Sequence, residues 1–427
     1  MPTAAGTLDL AKKEGKPVAK SLLAVLLSCV LFCSQALALS NEERKRLDAF
    51  AQKALEKSQT IAGYPVNQDT SLDEFYAWYA KHKLFRAALN NVGNPRSKSL
   101  YSLNTHAFEN EVIDYFAKLY GFADNEYWGL VTMSGADGNN HGMYFGRKFL
   151  LSKSPLPPIV YVSEEAHYSI KKLADVQNLE LRLIKATDMG QMDVADFASK
   201  LDPSRPALVV IALGTTFKGA IDDQAAIREV LKAKHKGPHY IHLDAALFGG
   251  YLVFADSEAA KLVNRQFEKF DSIAVSGHKF FGSDEPMGIF ISTKEAFDNL
   301  NPFHVPYLND AVPTITCSRS GLAPLKFWWK IKSTPLSTFK AMANEMMSNS
   351  AYLVEKLDAA GVKNWRNPNS NTVFFERPAE EIMKRYDLAP EESPKFGKLA
   401  HFIVMPHVHK KLIDQFANDM RRWKAAQ

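Results

Sequence analysis

Three short apolar runs constrain the fold of this chain more than any other feature: Ala207–Gly214 (ALVVIALG), Tyr240–Leu247 (YIHLDAAL) and Asp271–Gly277 (DSIAVSG). Each is rich in Val, Ile or Ala and is bounded by turn residues. Such runs are expected where strands are covered on both faces, as in the middle of a mostly parallel sheet. Tyr127–Ser134, Pro158–Ser163 and Leu179–Lys185 add three more strand signals. Helical patterns alternate with them. In Ala107–Tyr120 the residues Phe108, Val112, Tyr115, Phe116 and Leu119 share one helical face. Further helices are predicted over Gly138–Phe149, Tyr168–Gln177 and Met192–Leu201.

Beyond about Asn301 the order changes. Long helices are predicted around Trp328–Asn349, with strands in NTVFFER and LAHFIVMP. This succession points to an open α/β sheet over 96–300, followed by a smaller α+β domain over 301–427. The stretch 39–95 is polar and helical in pattern, with turn chemistry at Ile61–Pro65 and a break at Gly93-Asn94-Pro95.

The start of the chain is different in kind. Lys12, Lys13, Lys16 and Lys20 precede the uncharged apolar run Ser21–Ala38, which closes on Ala36-Leu37-Ala38. That pattern is expected of a secretory signal peptide over 1–38, cleaved before Leu39. An uncleaved membrane anchor and an in-frame extension on a cytoplasmic protein are the alternatives. The net charge of +5 is small, and no basic block points to nucleic acid. Only Cys29, Cys33 and Cys317 occur, so cleavage would leave Cys317 alone and exclude an intramolecular disulfide. No metal-ligand spacing is present, and Cys317 is expected to be a buried spectator.

Polar residues stand where the strands end, which is where open α/β sheets collect ligands. Ser134-Gly135-Ala136-Asp137-Gly138-Asn139 follows one strand and opens a helix, an arrangement suited to cradling an anion. His167 lies just past another strand. Asp244 ends IHLDAAL, where a carboxylate among apolar residues must be paired. Lys279 follows DSIAVSG within VSGHKFFG. Each has an ordinary structural reading when taken alone. Together they meet the needs of pyridoxal phosphate: an anion cradle, a flat partner for the ring, a carboxylate for the ring nitrogen and a lysine amine for the aldehyde. Lys279 is the expected Schiff-base lysine.

The blocks TMSGADGN, EEAHYSIKKLA, GQMDVADF, IALGTTFKGAIDD, IHLDAALFGG, DSIAVSGHKFFGS, TITCSRSGLAPL and NSNTVFF resemble the group II pyridoxal-phosphate decarboxylases. Within that group they resemble the bacterial histidine decarboxylases and the plant serine decarboxylases. The resemblance runs from about Gly63 to Asp419. It implies the PLP-dependent transferase fold type I, with a seven-stranded sheet, and a homodimer with its active site between subunits. It implies that His167 stacks on the cofactor ring, Asp244 pairs with the ring nitrogen and Ala246 packs against the other face. Gly135, Ala136, Ser276 and His278 would lie near the phosphate, and Thr216 beside the cofactor. Tyr64 and Pro65 match a turn near the substrate entrance, and Ser318 and Arg319 match an SRxG block, with Ser318 on the substrate side.

Two departures stand out. Relatives usually carry Gly-Gly-Thr-Glu-Gly-Asn at the cradle, so Ala136 lacks a hydroxyl that they direct at the phosphate. Asp284 and Glu285 stand where relatives carry small or apolar residues. The resemblance implies an L-amino-acid decarboxylase converting histidine to histamine, with serine to ethanolamine as the near rival. A non-catalytic protein retaining the fold for binding is a rival of another class. The residue that returns a proton to the α carbon is left open between Lys279 and the stretch Tyr307–Thr314.

Overall fold

The three short apolar runs Ala207–Gly214, Tyr240–Leu247 and Asp271–Gly277 each form a strand in the computed structural model, which describes residues 39–255 and 257–427. The leader expected over 1–38, with Cys29 and Cys33, lies outside the described residues. Among the described residues no helix is long and apolar enough to cross a membrane. Helix α1, Asn41–Ser58, belongs to a separate unit that ends at Gln59. It starts on a capping box, in which Ser40 and Glu43 satisfy each other's backbone amides, and it buries no residue.

The second unit begins at Thr60. Its main sheet has seven strands: β1 Tyr127–Thr132, β2 Ile159–Ser163, β3 Glu180–Ile184, β4 Ala207–Ala212, β5 His239–Asp244, β6 Ser272–Ser276 and β7 Gly288–Thr293. Their order across the sheet is β1-β7-β6-β5-β4-β2-β3. The pairs from β6 to β3 are parallel, while β7 is antiparallel to both of its neighbours. Every residue of β2, β4, β6 and β7 is buried, as the unbroken apolar runs require. Exposed positions occur in β3, at the edge, and at His239, the first residue of β5.

Helix α2, Asp73–Lys81, and helix α3, His106–Leu119, precede the sheet. Helix α4, Gly135–Lys153, starts three residues earlier than its sequence pattern suggested, because the Ser134 side chain caps it by accepting from Asp137 N–H at 3.2 Å. Two glycines of α4 serve its packing. A Cβ on Gly138 would come within 2.8 Å of Ala274, and one on Gly142 within 2.2 Å of the His242 ring. They let α4 lie directly on β5 and β6.

Past the sheet, the expected long helical stretch is two helices, α5 Leu322–Ser333 and α6 Leu336–Ala359. They part at Thr334-Pro335, because proline has no N–H and drives its predecessor out of the helical region. A second sheet of four antiparallel strands follows: β8 Asn364–Arg366, β9 Thr372–Glu376, β10 Ala389–Ser393 and β11 Gly397–Ile403, in the order β8-β9-β11-β10. The chain before it does not stay apart: Ser318–Ser320 pairs with Asn90–Val92, and α5 packs on α3. Cys317 is exposed rather than buried. It lies just before the strand Ser318–Ser320 of that ladder, whose Ser318 and Ser320 are exposed as well.

Candidate active site

The direction of β7 decides where the chemistry collects. Because β7 opposes both β1 and β6, β1 runs with the parallel set, and β1, β2, β4, β5 and β6 open on one edge of the sheet. Gly135 and Ala136 follow β1, His167 follows β2, and Thr216 follows β4. Asp244 ends β5 with Ala246 just beyond, and Ser276 ends β6 with His278 and Lys279 just beyond. Register is tight here: Asp244 is level with Ala212 of β4 and Ala274 of β6.

Lys279 rides on the connection 277–287 that turns β6 back into β7. Gly277 N–H closes its neck on the Met287 carbonyl at 2.7 Å, and Nδ1 of His278 lies 3.2 Å from the same oxygen. Asn67 donates to the Phe280 carbonyl at 3.2 Å. Gly282 adopts φ +66 against the backbone of Asp69, a position that only glycine fills without strain. The lysine is thus delivered from a braced loop. Burial disfavours its ammonium and pushes its pKa below the usual lysine value, with the Asp244 carboxylate pulling the other way. That brings the amine closer to its nucleophilic neutral form.

Asp244 is 6% exposed, and its Oδ1 faces the Ala246 N–H at 3.4 Å. His167 lies within the electrostatic reach of both Asp244 and Lys279, and burial is the largest cause that holds its pKa below the usual histidine value. Its Nδ1 accepts from the Ser169 N–H at 3.3 Å, with the Ser169 hydroxyl at 2.8 Å. The amide donor at Nδ1 places the ring proton on Nε2. A neutral, fixed ring suits stacking on an aromatic cofactor.

The cradle is built by close approach. A Cβ on Gly135 would lie 2.3 Å from Ser276 Oγ and 3.2 Å from Ala246 Cβ, so α4 begins against the ends of β5 and β6. The α4 N-terminus and the Ser276 hydroxyl are thereby close neighbours, and free N–H groups and the helix dipole at such a place favour an anion. Asp137 points away from this task. Burial works against its charge, but His141 and the Met133 amide outweigh that and hold its carboxyl below the usual value. Ile315 N–H donates to Nε2 of His141 at 3.2 Å, leaving Nδ1–H for Asp137.

The donors present fit pyridoxal phosphate: an amine of depressed pKa, a buried carboxylate, a neutral ring and an anion cradle. The family description "Pyridoxal-dependent decarboxylase conserved domain" matches residues 151–367. Serine decarboxylase 1 of Oryza sativa subsp. japonica is 34% identical over 384 residues, 89% of this chain and 75% of that protein. Histidine decarboxylase of Morganella morganii is 32% identical over 390 residues, 90% of this chain and 97% of that protein. The chain belongs to the pyridoxal-dependent decarboxylases. An L-methionine decarboxylase structure from Streptomyces sp.590 shares the fold, with a TM-score of 0.77 at 23% identity over 90% of this chain and 96% of that one.

Pyridoxal phosphate, when bound, supplies this decarboxylase with an aldehyde for the substrate amine and a ring that accepts the electron pair left as carbon dioxide departs. Lys279 would be the amine that holds the aldehyde, and Asp244 the carboxylate for the ring nitrogen. Ala136 is exposed at the first turn of α4 and has no hydroxyl to offer. Ala136→Thr is expected to tighten cofactor binding by one hydrogen bond to a charged group, on the order of 1.5–3 kcal/mol at most. An unchanged cofactor dissociation constant would mean that another donor already fills the place.

Tyr64, Pro65 and Thr216 line one cleft of about 350 Å³ beside Ala166, the neighbour of His167. The fold therefore brings the turn Tyr64–Pro65 to the ends of β2 and β4. It does not bring Ser318 there: Ser318 is exposed on its short strand and accepts from Asn90 Nδ2 at 3.2 Å. Arg319 is buried in an ion pair with Glu109 and donates to the Val131 carbonyl at 3.3 Å, a structural placement. The stretch Tyr307–Thr314 includes one side of a small hairpin, in which His304–Val305 pairs with Asp310–Ala311.

Sequence reading missed two charged groupings. Lys326 on α5, 4% exposed at its side chain, lies 2.9 Å from Asp284 and 3.1 Å from Glu285 and sits 5.2 Å over the Tyr76 ring. Asp284 and Glu285 are thus both answered by one buried lysine. Lys326→Met is expected to destabilise the fold by about 1–2 kcal/mol, since the half-buried carboxylates can regain some water. An unshifted denaturation midpoint would show that the cluster contributes nothing. The second grouping, Lys218 with Glu165 and Glu391, lines the cleft or braces its wall.

Proposed function

We propose that this decarboxylase acts on L-histidine, releasing carbon dioxide and histamine. The family supports decarboxylation of an amino acid; the coverage of relatives supports histidine. The chain spans 97% of the histidine decarboxylase of Morganella morganii but 75% of the rice serine decarboxylase. The observation that carries the catalytic reading is the convergence of Lys279, Asp244 and His167 at one sheet edge, with the lysine amine shifted toward neutrality. Serine is the second reading, favoured by the 34% identity to the rice enzyme.

Product analysis of the cofactor-loaded protein with a panel of L-amino acids tests both. Histamine as the main product supports the proposal, and ethanolamine as the main product replaces it with the serine reading. Protein that binds no cofactor would instead support a non-catalytic binding role. The proposal includes a homodimer, for which sedimentation equilibrium is the test, and export through the leader. N-terminal sequencing from fractionated cells tests export: Leu39 as the first residue supports it, and an intact Met1 on soluble cytoplasmic protein removes it.

A further inference from the structure

The cleft beside His167 carries an uneven set of charges. Lys218, 6% exposed at its side chain, reaches Glu165 at 2.5 Å and stands 3.7 Å from Glu391. The first is a charge-assisted hydrogen bond; the second is beyond hydrogen-bond length. Lys218 thus gives its short hydrogen bond to Glu165 and a longer ion pair to Glu391, whose carboxyl lines the cleft wall together with Lys171.

The position of Glu391 is set by its strand. Along β10 exposure alternates, with Ala389, Glu391 and Ser393 on the half-buried face and Pro390 and Glu392 outside. The period of two turns Glu391 inward to the cleft. Arg377 fastens the backbone there, donating to the carbonyls of Glu391 at 2.5 Å and Leu399 at 3.0 Å. The carboxyl is thus presented from a fixed strand, and it shares the cleft with Tyr64 and Thr216.

We infer that Glu391 selects the substrate's side chain, pairing with an N–H donor at its far end such as that of an imidazole ring. This rests on the decarboxylase reading above. A cleft of about 350 Å³ is near the lower end of small-molecule sites and suits a single amino acid. The hydroxymethyl group of serine ends one atom beyond Cβ, whereas imidazole carries its N–H to the far side of a ring. Burial, and then the charge of Glu165, push the Glu391 pKa up to about 7, against the pull of Lys218. A carboxyl in that range meets imidazole on near-equal terms, accepting as the anion or donating as the acid.

The test uses the full-length, cofactor-loaded protein. L-histidine methyl ester and L-serine methyl ester are titrated into wild type, Glu391→Gln and Glu391→Leu, with the visible absorbance of the cofactor as the readout. Both variants are expected to weaken the histidine ester about tenfold or more, one hydrogen bond to a charged group. The serine ester is expected to change less than twofold. Equal changes for both esters, or none, overturn the assignment. So does a wild type that binds the serine ester more tightly. Turnover of the amino-acid panel by the same wild-type preparation separates the two readings: its complete absence removes the decarboxylase reading, while turnover with unaltered ester selectivity in the variants removes only the role of Glu391.

Discussion

Lys279→Ala is expected to abolish turnover and the visible absorbance of bound cofactor together, a loss of at least about a thousandfold in rate. The reason is local. Lys279 supplies the amine delivered at the end of β6, and its buried setting already favours the neutral form. The fold should survive, because the loop is held by Gly277, Asn67 and His278 rather than by the lysine side chain. A circular-dichroism spectrum and denaturation midpoint close to wild type would confirm that the loss is chemical. Normal turnover in this variant would remove Lys279 from the mechanism.

Asp244→Asn is expected to cost a hundredfold or more in turnover, on the scale of removing a preorganised electrostatic group, with little change in stability. The amide keeps an oxygen to accept from Ala246 N–H, so the end of β5 stays closed. What it loses is the charge that favours a protonated ring nitrogen. His167 provides an internal check. The Asp244 charge raises the His167 pKa, so the variant should lower it further, which an imidazole titration by NMR would register. A loss in turnover below a few-fold would show that this carboxylate faces elsewhere.

Much of this was legible along the chain. Strands buried on both faces must be apolar throughout, so β2, β4 and β6 were visible as runs, and β5 as a run that ends in a carboxylate. A charged residue at the end of such a run has no place in a core and needs a chemical or structural partner, which is why Asp244 and Lys279 stood out. Other features were local in space but not in sequence. Nothing in the order of residues announced that Gly288–Thr293 would return antiparallel between β1 and β6, yet that direction puts the α4 N-terminus on the same edge as Lys279. Nor did that order announce that Gly138 and Gly142 let α4 touch strands far along the chain.

By itself, then, the sequence determined the α/β class, the strands of the main sheet that carry the candidate site residues, and the identity of the lysine, aspartate and histidine that meet there. Periodicity and burial act residue by residue, so they leave their mark in one dimension. Tertiary structure alone decided which charges are spent and which remain. Lys326 answers Asp284 and Glu285 across distant segments, Lys218 answers Glu165, and Ser318 ends on a ladder with Asn90. Glu391 comes to the cleft from a strand of the second sheet, with its carboxyl beyond hydrogen-bond length from Lys218. Pairing of charges depends on distances of a few ångströms between residues remote in sequence, and only folding sets those distances.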